Sequence, residues 1–362
     1  MAATPNQLLT ARLRNQHLLD NRRRKPAQVV SWLGAMQAQE YFSAKWAIGL
    51  RSPGCLDADI DQAFNDGLIL RTHLLRPTWH FVAPEDIRWM LALSAPRIHA
   101  ASAYYYRQAG LDGKTFARSA ATIHRALEGG QTLTRAELAV HLKRARISAD
   151  GLKLAYLVMH AELEAVICSG PRRGKQFTYA LLDERAPKSL VMSRDEAPAE
   201  LAKRYFASHG PATIRDFAWW SGMTLTDAKK AVESVRPALE SASVGGLQQW
   251  SASGSVGPAA RPGTAFLLPN YDEYLIAYKD RAPFIDATRS ANLVARANGA
   301  FANHLVIDGR LAGSWSRTCS ATNVMIEVAP YKPLTAAQTR AVNNVAECYG
   351  EFLGLRATVS MV

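Results

Sequence analysis

Two glutamines separated by a single alanine, Gln37 and Gln39, end an apolar segment near the N-terminus. The residues before them, PAQVVSWLGAM from Pro26 to Met36, have the pattern of a buried helix, and proline suits the first turn of a helix. Side chains two positions apart in a helix point about 200° away from each other. We therefore predict that the helix ends near Met36 and that both amides turn toward one cleft.

The amide group limits the chemistry open to such a pair. A neutral amide can hold a water molecule or polarise a leaving group, but it is a weak proton acceptor. A site built from Gln37 and Gln39 therefore suits a reaction whose leaving group is already activated. Glu40 follows directly and is an alternative base. The simplest structural alternative is an ordinary helix terminus without a catalytic role.

Basic side chains in two predicted β-hairpins are candidates for DNA contact. The first hairpin, LRTHLLRPTWHFV, and the turn GPRRGKQ of the second both carry cations that could neutralise phosphates. A solvated turn and a buried structural histidine are the alternative interpretations. The candidate residues are Arg71, Arg76, His80, Arg172, Arg173 and Lys175.

The charge balance of the chain favours a polyanionic partner. Its 362 residues include 43 Lys and Arg against 31 Asp and Glu, which gives a formal net charge of +12. Such an excess favours nucleic acid first and an anionic membrane second. A basic enzyme with a solvated surface remains the alternative, so charge alone does not decide the function.

The cysteines and the apolar segments indicate a cytoplasmic protein. Four cysteines are scattered along the chain without the spacing of a zinc site, and we interpret them as buried, reduced thiols. We find neither a signal-peptide pattern nor an apolar run of roughly 20 residues that could cross a membrane. We expect a monomer without a metal or cofactor, located in the cytoplasm and associated with the nucleoid.

A unit of three helices followed by a hairpin recurs along the chain. Residues 114–182 read as TFARSAATIHRALEGG, LTRAELAVHLKRARI and GLKLAYLVMHAELEAVI, followed by strands AVICS and QFTYALL. Thr134 and Glu137 form a capping box at the start of the second helix. This order is typical of a winged helix, a helix-turn-helix that carries a β-wing.

The same order recurs twice more. Residues 198–252 contain three helices, with Thr213 and Asp216 capping the second, and a hairpin at Gly245-Gly246. A less regular unit precedes both, with wing strands LILRTHLL and TWHFV, and a helical stretch from Pro84 to Ala109 follows it. We predict three winged-helix units in tandem.

The C-terminal part changes to short apolar segments. After the linker SASGSVGPAARPG, the segments TAFLLPN, EYLIAYKD, HLVIDGRLAGSW and NVMIEVAPY predict strands of a small β-barrel or sandwich, followed by one amphipathic helix. The predicted fold class is α+β, three winged-helix units and a C-terminal β-barrel. The predicted domains are residues 1–110, 111–190, 191–253 and 264–362.

These features together resemble the AlkZ-like bacterial DNA glycosylases, over nearly the whole chain. The resemblance rests on the tandem winged helices, on Gln37 and Gln39 with an aliphatic residue between them, and on the segments RPTWHFV, LLPNYDEYLIAYKDR and VIDGRLAGSW. The combination is far more specific than any single motif. A related branch of the family has Asp as its second polar residue, so this chain is more similar to the cross-link-unhooking branch.

The resemblance implies a fold and an activity. It implies three packed winged-helix units and a β-barrel around a concave channel for double-stranded DNA with alkylated bases. It also implies a monofunctional glycosylase that removes N-alkylated purines, including bulky or cross-linked ones, without a metal. Gln37 and Gln39 would be the catalytic element. The YDEY segment has no role that the resemblance assigns.

Two other functions remain as alternatives. Winged helices are mostly found in DNA-binding regulators or architectural factors without enzymatic activity, and fold does not fix function. RNA or membrane-surface binding through the basic excess is weaker, because we find no RNP-type aromatic strand and no basic amphipathic anchor.

Overall fold

The computed structural model describes residues 4–20, 22–186, 192–193, 195–254, 263–285 and 302–362, and these residues form both helices and strands. The helices are α1 (Pro5–Asn15), α2 (Pro26–Leu33), α3 (Tyr41–Gly49), α4 (Asp57–Asn65), α5 (Ile87–Gln108), α6 (Gly113–Leu127), α7 (Arg135–Arg144), α8 (Leu152–Leu163), α9 (Leu182–Arg185), α10 (Glu196–Ser208), α11 (Ile214–Ser221), α12 (Leu225–Val235), α13 (Glu273–Ile276) and α14 (Ala336–Leu353). Short 3₁₀ turns occur at Arg236–Ala238 and Ala282–Phe284.

The strands are β1 (Ala35–Gln37), β2 (Leu70–Leu74), β3 (Thr78–Val82), β4 (Leu133–Thr134), β5 (Ile167–Ser169), β6 (Thr178–Leu181), β7 (Leu239–Val244), β8 (Leu247–Ala252), β9 (Ala265–Leu268), β10 (Asn303–Ile307), β11 (Arg310–Cys319), β12 (Asn323–Pro330) and β13 (Arg356–Met361). The α+β class is therefore confirmed. Residues 255–262 of the predicted linker lie outside the described residues.

The chain forms two compact units. Unit 1 comprises residues 1–60, 199–220 and 224–362, and unit 2 comprises residues 61–198 and 221–223. The predicted division into four domains stays a prediction. Among the described residues, none of the helices combines the length and apolar character needed to span a bilayer.

Unit 2 contains the helices and hairpins of the middle of the chain. Strands β2 and β3 pair antiparallel, and a separate sheet has the order β4-β6-β5. Helix α7 begins with the predicted capping box, since the Thr134 hydroxyl accepts the backbone N–H of Glu137 and the Glu137 carboxylate accepts that of Thr134. This reciprocal cap satisfies two N–H groups that the helix start leaves without partners.

Unit 1 contains a five-stranded sheet of order β13-β12-β11-β10-β9, curled into a half-barrel. The pairs are antiparallel except β12 with β13, which are parallel neighbours connected by helix α14. Helix α14 packs against both edge strands, β9 and β13. The predicted β-barrel is thus an open half-barrel among the described residues, with a helix rather than further strands against its edges.

One predicted strand is wrong. The segment EYLIAYKD was expected to be extended, but its first four residues form helix α13, and the Asp272 side chain caps that helix by accepting the backbone N–H of Tyr274. Tyr274 and Tyr278 are fully buried. A short apolar segment that is buried on every side has no hydrophobic periodicity by which a strand can be told from a helix. The Asp272 cap is the local feature that favours a helix here.

Candidate active site

Gln37 is the last residue of a short strand that follows a helix, and Gln39 lies two residues further on, in a bend. Helix α2 begins at Pro26 as predicted, but it ends at Leu33, three residues before the predicted end at Met36. Gly34 ends it with φ 78° and ψ −56°, and the chain continues as strand β1. That backbone conformation is open mainly to glycine, which explains why the helix stops there.

The exposure of the motif alternates as in a strand. Ala38 is fully buried, whereas the residues on either side of it, Gln37 and Gln39, are half-buried. The chain has left helix α2 before the motif, and both amides are partly accessible while the alanine between them is not. Glu40 is exposed, has extended dihedral angles (φ −101°, ψ 101°) and directly precedes helix α3.

A buried carboxylate holds the backbone of this segment. Glu273 is 1% exposed, and its Oε1 accepts the backbone N–H of Gln37 at 2.8 Å. Its Oε2 accepts the indole N–H of Trp220 at 2.9 Å and lies 3.6 Å from Nε2 of His209. One carboxylate therefore connects the glutamine motif to helices α11 and α13.

A buried ion pair fixes the segment that carries Glu273. Arg51 and Asp272 are both buried and form a two-pronged pair with 2.8 Å contacts. Arg51 also donates to Oε1 of Gln16 at 2.9 Å, and Gln16 donates to the Tyr278 hydroxyl at 3.1 Å. A bidentate Arg–carboxylate pair adds geometric precision as well as attraction. The start of α13 is thereby held in one position.

Burial shifts the titration of two groups around the motif. Burial lowers the pKa of His209 from its ordinary value, although the neighbouring Glu273 acts in the opposite direction. Burial raises the pKa of Tyr271, and the nearby charge of Glu40 raises it further. At neutral pH, His209 is therefore a neutral imidazole and Tyr271 a neutral phenol.

Among the described residues, the motif is not part of a group of metal-ligand side chains. In the part of the chain that the structure describes, one group of three His, Cys, Asp or Glu residues has metal-binding geometry, and it belongs to unit 2. The chemistry that the motif itself offers is therefore that of amide dipoles, with Glu40 alongside.

The predicted DNA contacts of the first hairpin lie in unit 2 and are mostly buried. Arg71 is 8% exposed, and its guanidinium lies over the rings of Trp79 (4.5 Å) and Phe177 (4.6 Å). His80 is fully buried, with Nδ1 2.9 Å from the carbonyl oxygen of Thr78. Arg76 is half-buried at the turn. Contact of these three residues with DNA stays a prediction.

The predicted contacts of the second hairpin share one turn of unit 2. Arg173 donates to Glu137 Oε1 and to the carbonyl oxygen of Thr132, both at 2.8 Å. Arg172 donates to the carbonyl oxygen of Lys175 at 3.0 Å. Lys175 itself is exposed. The two arginines thus brace the turn, and phosphate contact by all three cations stays a prediction.

A basic cavity in unit 1 was not predicted from the sequence. It has a volume of about 570 Å³ and lies beside helices α11 and α12 and strand β8. Its lining includes three cations, Arg215, Lys229 and Lys279, against two carboxylates, Asp216 and Asp280, and Trp250 adds an aromatic wall. The segment TLTDAKKAV of the third predicted unit contains one of these cations, so the signal was present but was not used.

Comparison with known proteins assigns the family. The model of the DNA glycosylase AlkZ-like family matches residues 30–352, which is most of the chain. The chain belongs to the AlkZ-like DNA glycosylase family. It is similar to the interstrand DNA cross-link repair glycosylase of Streptomyces sahachiroi, with 25% identity over 328 residues, 87% of this chain and 88% of that protein. The solved structure of Streptomyces sahachiroi DNA glycosylase AlkZ shares the fold, with a TM-score of 0.83, 22% identity and full coverage of both chains.

Family membership confirms the resemblance and the predicted enzyme class. An AlkZ-like glycosylase is a hydrolase that acts on N-glycosyl bonds in DNA and takes part in DNA repair. The roles of Gln37 and Gln39 remain to be argued from their surroundings. Glu273, which sequence reasoning left without a role, belongs to those surroundings.

Proposed function

We propose that this AlkZ-like glycosylase hydrolyses the N-glycosidic bond of N-alkylated purines, bulky adducts and interstrand cross-links included, and that Gln37 and Gln39 are its catalytic residues. The observation that carries the proposal is the geometry of the motif. Two half-buried amides flank a fully buried alanine where strand β1 ends, and the buried Glu273 carboxylate accepts the backbone N–H of Gln37. The pair therefore has a fixed position from which to act.

The chemistry of an alkylated purine matches what amides can do. A purine alkylated at N7 is cationic, so both electrons of the breaking C1′–N9 bond move to the base, which leaves as a neutral molecule. The sugar acquires oxocarbenium character, and a water oxygen forms the new bond to C1′ while the water loses one proton. Little acid catalysis is needed, and the protein has to orient the water and stabilise the developing charge with fixed dipoles.

The two amides and Glu40 divide this work. The carbonyl oxygens of Gln37 and Gln39 accept hydrogen bonds from the water and orient its lone pair toward C1′. Their dipoles are oriented before the reaction, so they stabilise positive charge on the sugar without reorganising. Glu40 is exposed beside them and accepts the proton that the water loses. An unmodified purine leaves as an anion, for which this site supplies no acid.

We further propose that the predicted three winged-helix units form the DNA-binding part of the protein. The order α6-α7-α8-β5-β6 and the order α10-α11-α12-β7-β8 each have three helices before a hairpin, and α1 to α4 precede β2 and β3. The basic cavity lined by Arg215, Lys229 and Lys279 supports a phosphate contact at the third unit. The exposed Lys175 supports another at the wing of the second unit.

The direct test is an excision assay with purified protein. A duplex with one N7-methylguanine is incubated with enzyme and then heated in alkali, which cleaves the strand at abasic sites. We expect cleavage with the wild-type protein and none above background with the double variant Gln37→Ala/Gln39→Ala. The matched control is Gln131→Ala, since Gln131 is an exposed glutamine in a loop of unit 2.

Further substrates separate the parts of the proposal. A duplex with a bulky N7 adduct and one with an interstrand cross-link test the range of lesions. Equal excision by the wild type and the double variant would remove the catalytic assignment but leave the enzyme class intact. Excision of N7-methylguanine without any action on the cross-link would restrict the substrate to monoadducts.

A further inference from the structure

Two histidines and a glutamate meet in unit 2, whereas the residues of the proposed reaction belong to unit 1. They are His99 on helix α5, His160 in the last turn of helix α8, and Glu164, the residue that caps the C-terminus of α8. One ligand atom from each lies within 4.8 Å of the other two. Within the described residues, this is the one group of three metal-ligand side chains with such geometry.

We propose that His99, His160 and Glu164 bind one divalent ion of the zinc class, with water completing its coordination. Two imidazoles and one carboxylate are a ligand set that zinc accepts, and three protein ligands leave a fourth position open. Imidazole and carboxylate donors also suit cobalt and nickel, so these ions serve as probes of the same site. The proposal does not depend on the glycosylase chemistry.

The spacing of the ligands fits a single ion after small rotations. Tetrahedral zinc with bonds of about 2.0–2.1 Å separates its ligand atoms by about 3.4 Å. Nε2 of His99 already lies 3.0 Å from Oε1 of Glu164. His160 and Glu164 are four residues apart on α8 and so lie on one side of it. The side chain of Glu164 is 52% exposed, so solvent leaves room for the rotation that a single ion requires.

Neighbouring groups orient both imidazoles. Nδ1 of His99 lies 3.2 Å from the hydroxyl oxygen of the buried Tyr106, which directs Nε2 toward Glu164. The ring of His160 stacks on Phe116 with a centroid distance of 3.9 Å and an angle of 11°. Outer partners of this kind fix the tautomer and ring direction of metal-binding histidines.

The end of helix α8 also favours a cation. The last carbonyl groups of a helix carry partial negative charge, and positive charge near them is stabilising. His160 and Glu164 lie in this last turn and at its cap. A divalent ion there would join α8 to α5. Without an ion, the same residues would only hold the two helices together through the His99–Glu164 hydrogen bond.

The chain contains a matched control pair. His124 and Glu128 are also a histidine and a glutamate four residues apart, at the end of helix α6, with Nδ1 and Oε1 3.1 Å apart. The metal-binding geometry found at His99 does not include them. If zinc needs all three ligands, substitution of His124 should leave its affinity unchanged. If zinc binds weakly to any exposed His–Glu pair, substitutions at either pair should have similar effects.

The test uses the full chain after removal of bound metal with a chelator. Zinc is titrated into the protein in competition with a chromophoric indicator, and the expected result is one tight site per chain. We expect Glu164→Gln and His99→Gln to weaken that site by at least about tenfold, and His124→Gln to leave it unchanged. Thermal unfolding should shift upward with zinc in the wild type and in His124→Gln only.

Cobalt provides an independent measurement. The exposed Cys319 and Cys348 are alternative ligands, and a thiolate would add a charge-transfer band to the cobalt spectrum. We expect tetrahedral or five-coordinate d–d bands without that band. Equal zinc affinity of wild type, Glu164→Gln and His99→Gln would overturn the proposal, and so would a thiolate band in the one-to-one complex.

Discussion

Glu273→Gln is the substitution that tests how the glutamine motif is held. The carboxylate accepts two N–H groups, one from the backbone of Gln37 (2.8 Å) and one from the indole of Trp220 (2.9 Å). An amide of the same shape keeps one oxygen and replaces the other with an NH2 group. Whichever way that amide is turned, one buried N–H faces a donor and loses its acceptor.

The structure sets the expected magnitudes. A hydrogen bond to a charged group contributes roughly 1.5–3 kcal/mol, and a buried donor without an acceptor is costly. We therefore expect the free energy of unfolding to fall by about 1.5–3 kcal/mol. The catalytic effect should be larger, because displacement of a catalytic group by about 1 Å lowers a rate by as much as ~100-fold. We expect the excision rate to fall between tenfold and 100-fold.

The assay is single-turnover excision of N7-methylguanine with enzyme in excess, so that binding does not limit the rate. Stability is measured in parallel by urea unfolding, followed by circular dichroism. The control is Trp220→Phe, which also removes the indole hydrogen bond but leaves both oxygens of Glu273 available to Gln37. It should lose stability and retain an excision rate within about threefold of the wild type.

Two outcomes would refute this reasoning. If Glu273→Gln is destabilised but excises at the wild-type rate, the carboxylate supports the fold without positioning the motif. If Trp220→Phe loses as much activity as Glu273→Gln, the loss follows from general destabilisation of unit 1 rather than from the contact with Gln37.

Three further predictions concern stability and DNA binding. Burial and then the nearby Arg24 lower the pKa of His17 from 6.5 to about 4, so the unfolded chain takes up the proton at a higher pH than the folded chain. The free energy of unfolding should therefore fall by on the order of 1 kcal/mol as the pH drops from 6.5 toward 4. The variant His17→Asn, whose side chain tolerates the φ of 61° at that position, should show a shallower dependence of unfolding on pH over this range. Gly222 has φ 70°, and a Cβ there would lie 2.3 Å from the carbonyl oxygen of Leu75. Chemical unfolding should show that Gly222→Ala lowers the free energy of unfolding by more than about 2 kcal/mol, whereas Gly246→Ala, with a similar φ but no atom within 4 Å of the added Cβ, should lower it by about 1 kcal/mol. Lys175→Ala should reduce the slope of log affinity for duplex DNA against log salt by about 0.9, whereas Lys114→Ala, also exposed, should leave that slope unchanged; equal slopes for all three proteins would remove Lys175 from the DNA contact.

Local sequence signals were sufficient where caps and turns decide the structure. Thr134 with Glu137 and Thr213 with Asp216 start their helices as predicted, because each side chain satisfies backbone groups only a few residues away. Wing strands β2 and β3 and the hairpin at Gly245-Gly246 were predicted for the same reason. Interactions of this range can be read directly from spacing.

Elements decided by the surrounding core were harder to predict. Strand β13 was not predicted, since its residues acquire a strand partner only when α14 returns the chain to β12. Segment Glu273–Ile276 was expected to be a strand because burial on every side removes the periodicity that distinguishes it from a helix. A small β-barrel was predicted where the sheet is a half-barrel, because strand patterns do not show that a helix will lie against the edges.

In the candidate site too, features set by neighbouring residues could be predicted from the sequence, whereas a contact between distant residues could not. Gln37 and Gln39 were selected as candidates from the sequence because they are neighbours, and their convergence was predicted on the ground that they could share a cleft only if the helix ended before them. Glu273 was missed because 236 residues separate it from Gln37, and no spacing rule spans that distance. The available signal was two adjacent acidic residues, Asp272 and Glu273, inside an otherwise apolar run.

Gly34 links the fold to the proposed chemistry. With φ 78° and ψ −56° it ends helix α2 before the motif, and the residues after it become extended. In a helix, the backbone N–H of Gln37 would bond to the carbonyl four residues earlier, and the two amides would point away from each other. At the end of strand β1 that N–H is left for Glu273, and the two half-buried amides flank a buried alanine. The same local break thus takes the pair out of the helix in which its amides would diverge, and it leaves the donor by which the core holds the motif.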